Sequence, residues 1–232
     1  MYIYFTMKRT ILLGAFFTCF CNTVAMGQTV EQKASKLVKI AKGLNFKVAK
    51  LALEAFNNSK NQGVLVKKPI ITIIDYSQAS TMKRFWVLDL ENEKLLYNSM
   101  VAHGVNSGNN YTTSFSNNMG SLQTSLGIFI TGHTYFGRDG YSLRIKGLEK
   151  GVNDKAEKRY IVVHGASYVS KEFIAAAGRA GRSWGCPAVE KHLAKPIIDA
   201  IKDGTLIFSY YPDKIWLARS KFVNGDVAKR SA

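Results

Sequence analysis

Cys186 and His164 are the residues whose types and surroundings point to chemistry. Cys186 is the only cysteine beyond residue 21 of a 232-residue chain, and it stands in "SWGCPA" (183–188) between a glycine and a proline. His164 closes an apolar run, "YIVVHG" (160–165). A thiol attacks as its thiolate, and its ordinary pKa of about 8.5 falls beside an imidazolium or at a helix N-terminus. Both effects are open to Cys186. His164 can take its proton, and a helical stretch expected over 188–204 would open around Pro187 and Ala188, turning unpaired N–H groups toward the sulfur. Gly185 lets the backbone approach a substrate closely, and the N–H groups of Gly185 and Cys186 are candidate donors to a developing oxyanion. A Cys–His pair brought together in space is the recurring arrangement for thiol acyl transfer. A buried, unreactive thiol is the competing reading of a lone cysteine.

The elements that must position this pair follow from periodicity. Residues 31–57 repeat Leu37, Ala41, Leu44, Val48, Leu51 and Ala55 at spacings of three and four, with Lys36, Lys39, Lys47 and Lys50 opposite, which predicts one amphipathic helix. It would pack on the domain, or, as the sharper alternative, lie on a membrane surface. From "PIITIID" (69–75) the texture changes to strands, with a hairpin expected over 83–102 and further strands at 127–132, 141–147, 159–165 and 205–211. A polar loop spans 104–121, a length that usually marks function or mobility. A short helix is expected at 170–181, opened by Ser170. The basic tail from Arg219 reads as loosely held. The order fits one mixed, mainly β domain with a few helices, an α+β class.

Composition bounds the setting. Hydrophobic residues make up 47% and charged residues 21%, which is globular rather than disordered. "MKRT" (7–10) followed by "ILLGAFFTCFCNTVA" (11–25) has the basic and apolar parts of an export signal, with Ala25 and Gly27 before a cut ahead of Gln28. Cleavage would remove Cys19 and Cys21 and leave Cys186 without an internal disulfide partner. The formal charge of +16 favours polyanions, and export directs that preference to anionic envelope polymers or a membrane surface rather than nucleic acid. The chain therefore divides into a signal at 1–27, an N-terminal helical segment at 28–64, a catalytic domain at 65–215 and a basic tail at 216–232. Among the remaining histidines, His133 in "ITGHTY" follows an expected strand and is a further candidate for the cleft. His103 is a weaker candidate, and His192 among lysines reads as solvated. Dispersed histidines without cysteine or carboxylate partners at ligand spacing do not make a zinc site.

"HG" at 164–165 followed by "SWGCPA" resembles the signature of the L,D-transpeptidase catalytic domain, whose members remodel bacterial peptidoglycan. "SLGIFITGHT" (125–134) and "FWVLDLENEKLLYNSMVAHG" (85–104) resemble that family's strand before the signature and its early hairpin. The resemblance covers about residues 68–212 and implies a β-sandwich of mixed sheets. It implies Cys186 as nucleophile, His164 as base, the Gly165 carbonyl as the group orienting the imidazole, Gly185 and Cys186 N–H groups as the oxyanion hole, and Ser183 as a turn or substrate contact. It implies stem peptides of peptidoglycan as substrates, a thioester intermediate, and no metal or organic cofactor. The departures are Trp184, where His or Thr is usual, and Ala188, where Arg or Asn is usual. Arg179 or Arg182 would be the replacement anchor for a substrate carboxylate. The same site would serve an L,D-carboxypeptidase if water replaced the acceptor amine. A non-catalytic basic wall- or membrane-binding protein is the reading from another class.

Overall fold

The computed structural model describes residues 1–2 and 28–225. The stretch expected to be an export signal, with Cys19 and Cys21, and the last residues of the expected basic tail lie outside the described residues.

The N-terminal segment is two helices, α1 (Val30–Ile40) and α2 (Phe46–Asn61), where the periodicity predicts one. The break has local causes. Gly43 takes a left-handed φ of 83°, and Asn45 starts α2 by accepting the Lys47 N–H at 2.8 Å. Thr29 and Gln32 form a reciprocal capping box on α1. The apolar faces of both helices are spent on the core: Leu37, Val48, Ala52 and Phe56 share one cluster with Ile71, Ile73, Trp86 and Phe208. Lys36 and Lys50, which the sequence places on the outer face, pair with Glu93 and Glu31. The membrane-surface alternative for this segment thus lacks a free apolar face.

The strands are β1 (Ile70–Asp75), β2 (Phe85–Asp89), β3 (Lys94–Ser99), β4 (Val101–Ala102), β5 (Gly127–Gly137), β6 (Gly140–Gly147) and β7 (Val162–Ala166). After β7 come α3 (Lys171–Ala177), β8 (Ala188–Glu190), α4 (Lys191–Ile201), β9 (Leu206–Tyr210), α5 (Lys214–Arg219) and α6 (Lys221–Asn224). The class is α+β, built on a mixed sheet of nine strands in the order β3-β2-β1-β9-β5-β6-β7-β8-β4. β1 runs parallel to β9 and β7 parallel to β8; the other pairs are antiparallel. The sheet curls on itself. Val101, Val163 and Val189 from one half pack in the same cluster as Phe85, Val87 and Ile207 from the other, with Ile197, Ile198 and Ile201 of α4 among them. The hairpin expected over 83–102 forms as β2–β3, and its last two residues, β4, leave to pair with β8.

Two expectations are corrected. Residues 188–190 form a strand, not the start of a helix, because Ala188, Val189 and Glu190 are all buried and their backbone is laddered on both sides, to β7 and to β4. α4 begins only at Lys191 and carries Pro196 inside it. The C-terminal segment is held as far as it is described. Trp216, Phe222 and Val223 are buried, and the carboxylate of Glu149 accepts hydrogen bonds from Trp216 Nε1 (3.2 Å) and Ser220 Oγ (2.5 Å).

Candidate active site

The pairing of β7 with β8 brings the two candidate residues to one place. His164 on β7 is the register partner of Ala188 on β8, and Cys186 lies two residues before Ala188 on the chain entering that strand. Both side chains line one cleft of about 550 Å3, with Tyr135, Arg138, Asp139, Arg159, Tyr168 and Trp184 among its walls. Clefts of about 570 and 670 Å3 lie elsewhere on the surface, so size does not single this one out. The thiol and imidazole do.

The turn that presents Cys186 is closed by its own atoms. Ser183 Oγ donates to the Cys186 carbonyl at 2.6 Å and accepts the Gly185 N–H at 3.1 Å, while the Ser183 N–H donates to the His103 carbonyl at 2.9 Å. Gly185 has φ of 122°, and a Cβ there would stand 2.7 Å from the Gln123 carbonyl oxygen, so only glycine fits. Ser183 is therefore the residue that shapes the turn. The Gly185 N–H, expected in an oxyanion hole, is committed to Ser183 in this arrangement.

Cys186 Sγ accepts the Val162 N–H at 3.4 Å and donates to the Tyr160 carbonyl at 3.6 Å. Burial pushes the thiol up to about 11, and Asp139 adds to the rise; the Val162 N–H, Arg159 and Arg138 oppose it. With 188–190 in a strand, no helix N-terminus acts on the sulfur. The expectation of a depressed thiol in the resting protein is thus overturned by desolvation. His164 is held below its ordinary value, first by burial, with Arg138 adding to that and Asp139 and the Gly165 carbonyl opposing. Its Nδ1 lies 3.2 Å from the Gly165 carbonyl. A carbonyl only accepts, so Nδ1 carries the proton and Nε2 keeps its lone pair. The thiol and the imidazole thus line one cleft, with the sulfur bonded to the backbone at 160 and 162 and the free imidazole nitrogen left as a candidate proton acceptor.

The other candidates separate clearly. His133 is exposed on β5 and lies outside the residues lining the cleft, because its side chain leaves the sheet toward solvent. His103 is fully buried beneath the site: Arg84 Nη2 lies 2.8 Å from Nδ1, and Nε2 donates to the Gly108 carbonyl at 3.2 Å. Its ring links Arg84 to the Gly108 carbonyl, and its own backbone carbonyl takes the Ser183 N–H. Arg182 lines the cleft, but its Nη1 is tied to the Val105 and Gly108 carbonyls (both 3.2 Å) and to Asn109 Oδ1 (3.1 Å). Arg179 donates to the Ala180 carbonyl and is not part of the wall. Trp184 is 63% exposed and packs under Arg138, whose Cζ is 4.8 Å from the ring centre.

Arg138, Asp139 and Arg159 are functional candidates that the sequence reading misses. The first two have a usable signal: "RDG" (138–140) between two strands is a hairpin turn, and the β5–β6 tip carries it to the cleft. Arg159, in the turn before β7, has no comparable signal.

The model of the L,D-transpeptidase catalytic domain matches residues 40–210. No curated protein matches the chain. Among solved structures, an L,D-transpeptidase from Mycobacterium tuberculosis aligns at 15% identity over 62% of this chain and 58% of that one, with a TM-score of 0.38. The helical cell shape determining protein Pgp2 from Campylobacter jejuni aligns at 12% identity over 79% and 56%, TM-score 0.42. An L,D-transpeptidase from Xylanimonas cellulosilytica aligns at 14% identity over 79% and 94%, TM-score 0.35. The chain spans under two thirds of the length of the mycobacterial structures it matches. Likenesses of this size carry no weight for function; the match over residues 40–210 does, and by it the chain belongs to the L,D-transpeptidase catalytic-domain family.

Proposed function

We propose that this chain is a cysteine acyltransferase that cross-links peptidoglycan stem peptides. The observation that carries the reading is that His164 on β7 and Cys186, in the turn that enters the adjoining strand β8, line the same cleft. In the proposed reaction the Cys186 thiol gives its proton to Nε2 of His164 as the sulfur attacks the carbonyl carbon of the third stem residue. The C–N bond to the terminal D-amino acid then breaks, and the imidazolium protonates the departing amine. The product is a thioester on Cys186. An amine of a second stem attacks that thioester, His164 takes the amine's proton, and the sulfur leaves to be reprotonated. Water in place of the amine gives L,D-carboxypeptidase trimming through the same groups. No step calls for a metal or organic cofactor.

Export to the periplasm or cell envelope belongs to the same proposal, supported by the basic-then-apolar start of the sequence. Among the described residues, no helix is long and apolar enough to cross a membrane. The reading as a non-catalytic basic binding protein leaves Cys186, His164 and the closed Ser183 turn without a purpose.

The test is product analysis with a purified disaccharide-tetrapeptide. A dimeric product that Cys186→Ala cannot make supports transpeptidation; a tripeptide alone assigns hydrolysis. Product formation that survives Cys186→Ala overturns the mechanism.

A further inference from the structure

Burying a thiol disfavours its anion. Cys186 sits among backbone and aromatic groups, so a thiolate formed there needs a positive charge close by. The groups facing it are His164 on β7, Tyr168 after it, Tyr76 after β1, Arg138 and Asp139 at the β5–β6 turn, and Arg159 before β7. Arg138 is spread over Trp184 and neighbours Asp139, with Nε 3.8 Å from Oδ1 and most of its side chain in solvent.

Arg159 differs from it in two ways. It is part-buried against the catalytic turn: a Cβ on Gly185 would lie 3.4 Å from its Nη2, and the sulfur's two backbone partners, Tyr160 and Val162, follow it in the chain. Its hydrogen-bond acceptors are also all neutral. Nη1 donates to the Ser116 carbonyl (2.6 Å) and Ser125 Oγ (2.5 Å), and Nη2 donates to Ser121 Oγ (3.1 Å) and the Gln123 carbonyl (2.6 Å). Among the described residues no carboxylate forms an ion pair with it. A guanidinium stays charged even when part-buried.

We propose that Arg159 is a positioning residue for Cys186: its unneutralised charge is the counterion that the thiolate meets, and its fork fixes the 116–125 wall against the Gly185 turn. The inference rests on the reading of Cys186 as a nucleophile. It also accounts for a polar loop of this length being held, since its backbone and hydroxyl oxygens converge on one fork.

The test is the pH profile of Cys186 alkylation by iodoacetamide, followed by intact mass, in the wild type, Arg159→Gln and Arg159→Lys. Glutamine can still donate to a wall oxygen but carries no charge; lysine keeps the charge and loses the fork. Removing the charge is expected to raise the alkylation midpoint by about one pH unit, an approximately tenfold fall in rate at a fixed pH below it. Arg159→Lys is expected to stay near the wild-type midpoint while losing thermal stability. A folded Arg159→Gln with an unmoved midpoint overturns the inference. If Arg159→Gln does not fold, Arg159→Lys decides alone, and a midpoint raised by a full unit despite the retained charge overturns it. Because alkylation needs no muropeptide, a shifted midpoint in a protein with no turnover would sink the proposed reaction and leave this inference standing.

Discussion

Cys186 Sγ is hydrogen-bonded to the backbone nitrogen of Val162, 3.4 Å away and two residues before His164 on the same strand. The Cys186 thiol is thus hung from the strand that carries His164. Anything that shifts β7 moves both, and anything that opens the Ser183–Cys186 turn moves only the thiol.

The turn is therefore the place to separate chemistry from folding. Gly185→Ala puts a Cβ 2.7 Å from the Gln123 carbonyl in a left-handed backbone. The expected cost is roughly 1–3 kcal/mol of stability, the range for strained backbone positions. Product formation is expected to fall much further than that loss explains, measured as kcat on a muropeptide alongside thermal unfolding. A variant with full activity would mean that the turn is not held as described.

Acid should destabilise the fold through His103. Burial and the adjoining Arg84 lower its pKa from the ordinary 6.5 to about 4. The unfolded chain takes up its proton first, so the neutral histidine's contribution is intact above pH 6.5 and is lost as pH falls toward 4. The difference is roughly 3 kcal/mol, from 1.36 kcal/mol for each pH unit of separation. His164, lowered in the same direction, adds to it. Urea unfolding between pH 7 and 4 checks this, and His103→Gln should flatten the slope. Equal slopes in the two proteins would refute the assignment.

Glu149 should anchor the C-terminal helices. Its carboxylate, buried and pushed upward in pKa by that burial, accepts from the Ile128 N–H, Trp216 Nε1 and Ser220 Oγ. Glu149→Ala leaves three buried donors unpaired, at about 1–3 kcal/mol each before relaxation. Limited proteolysis should then cut within 214–224 under conditions where the wild type resists, and resistance in the variant would count against the anchor.

The site's chemistry is legible in the sequence where it is local. Gly185, Cys186 and Pro187 announce a turn, and "YIVVH" announces a strand that carries a histidine, although the strand runs from Val162 to Ala166 and so continues two residues past His164. What escapes is what depends on pairing between distant segments. Ala188–Glu190 is too short to show a period of two and runs straight into a helix, so its strand character comes only from β4 and β7 on either side. The split between α1 and α2 leaves the apolar period unbroken, so Gly43 and Asn45 are its only signs. The residues 216–225 read as a basic tail because Trp216 and Phe222 gain meaning only once Glu149 and α2 are in place. Arg159 is invisible for the same reason, since its acceptors lie at 116–125.

The most direct measurement of the central claim is the intact mass of the reduced protein trapped during turnover of a disaccharide-tetrapeptide. An adduct with the mass of the acylating disaccharide-tripeptide is expected on the wild type, located at Cys186 by peptide mapping and absent from Cys186→Ala. An adduct on another residue, or turnover by Cys186→Ala, would contradict the claim.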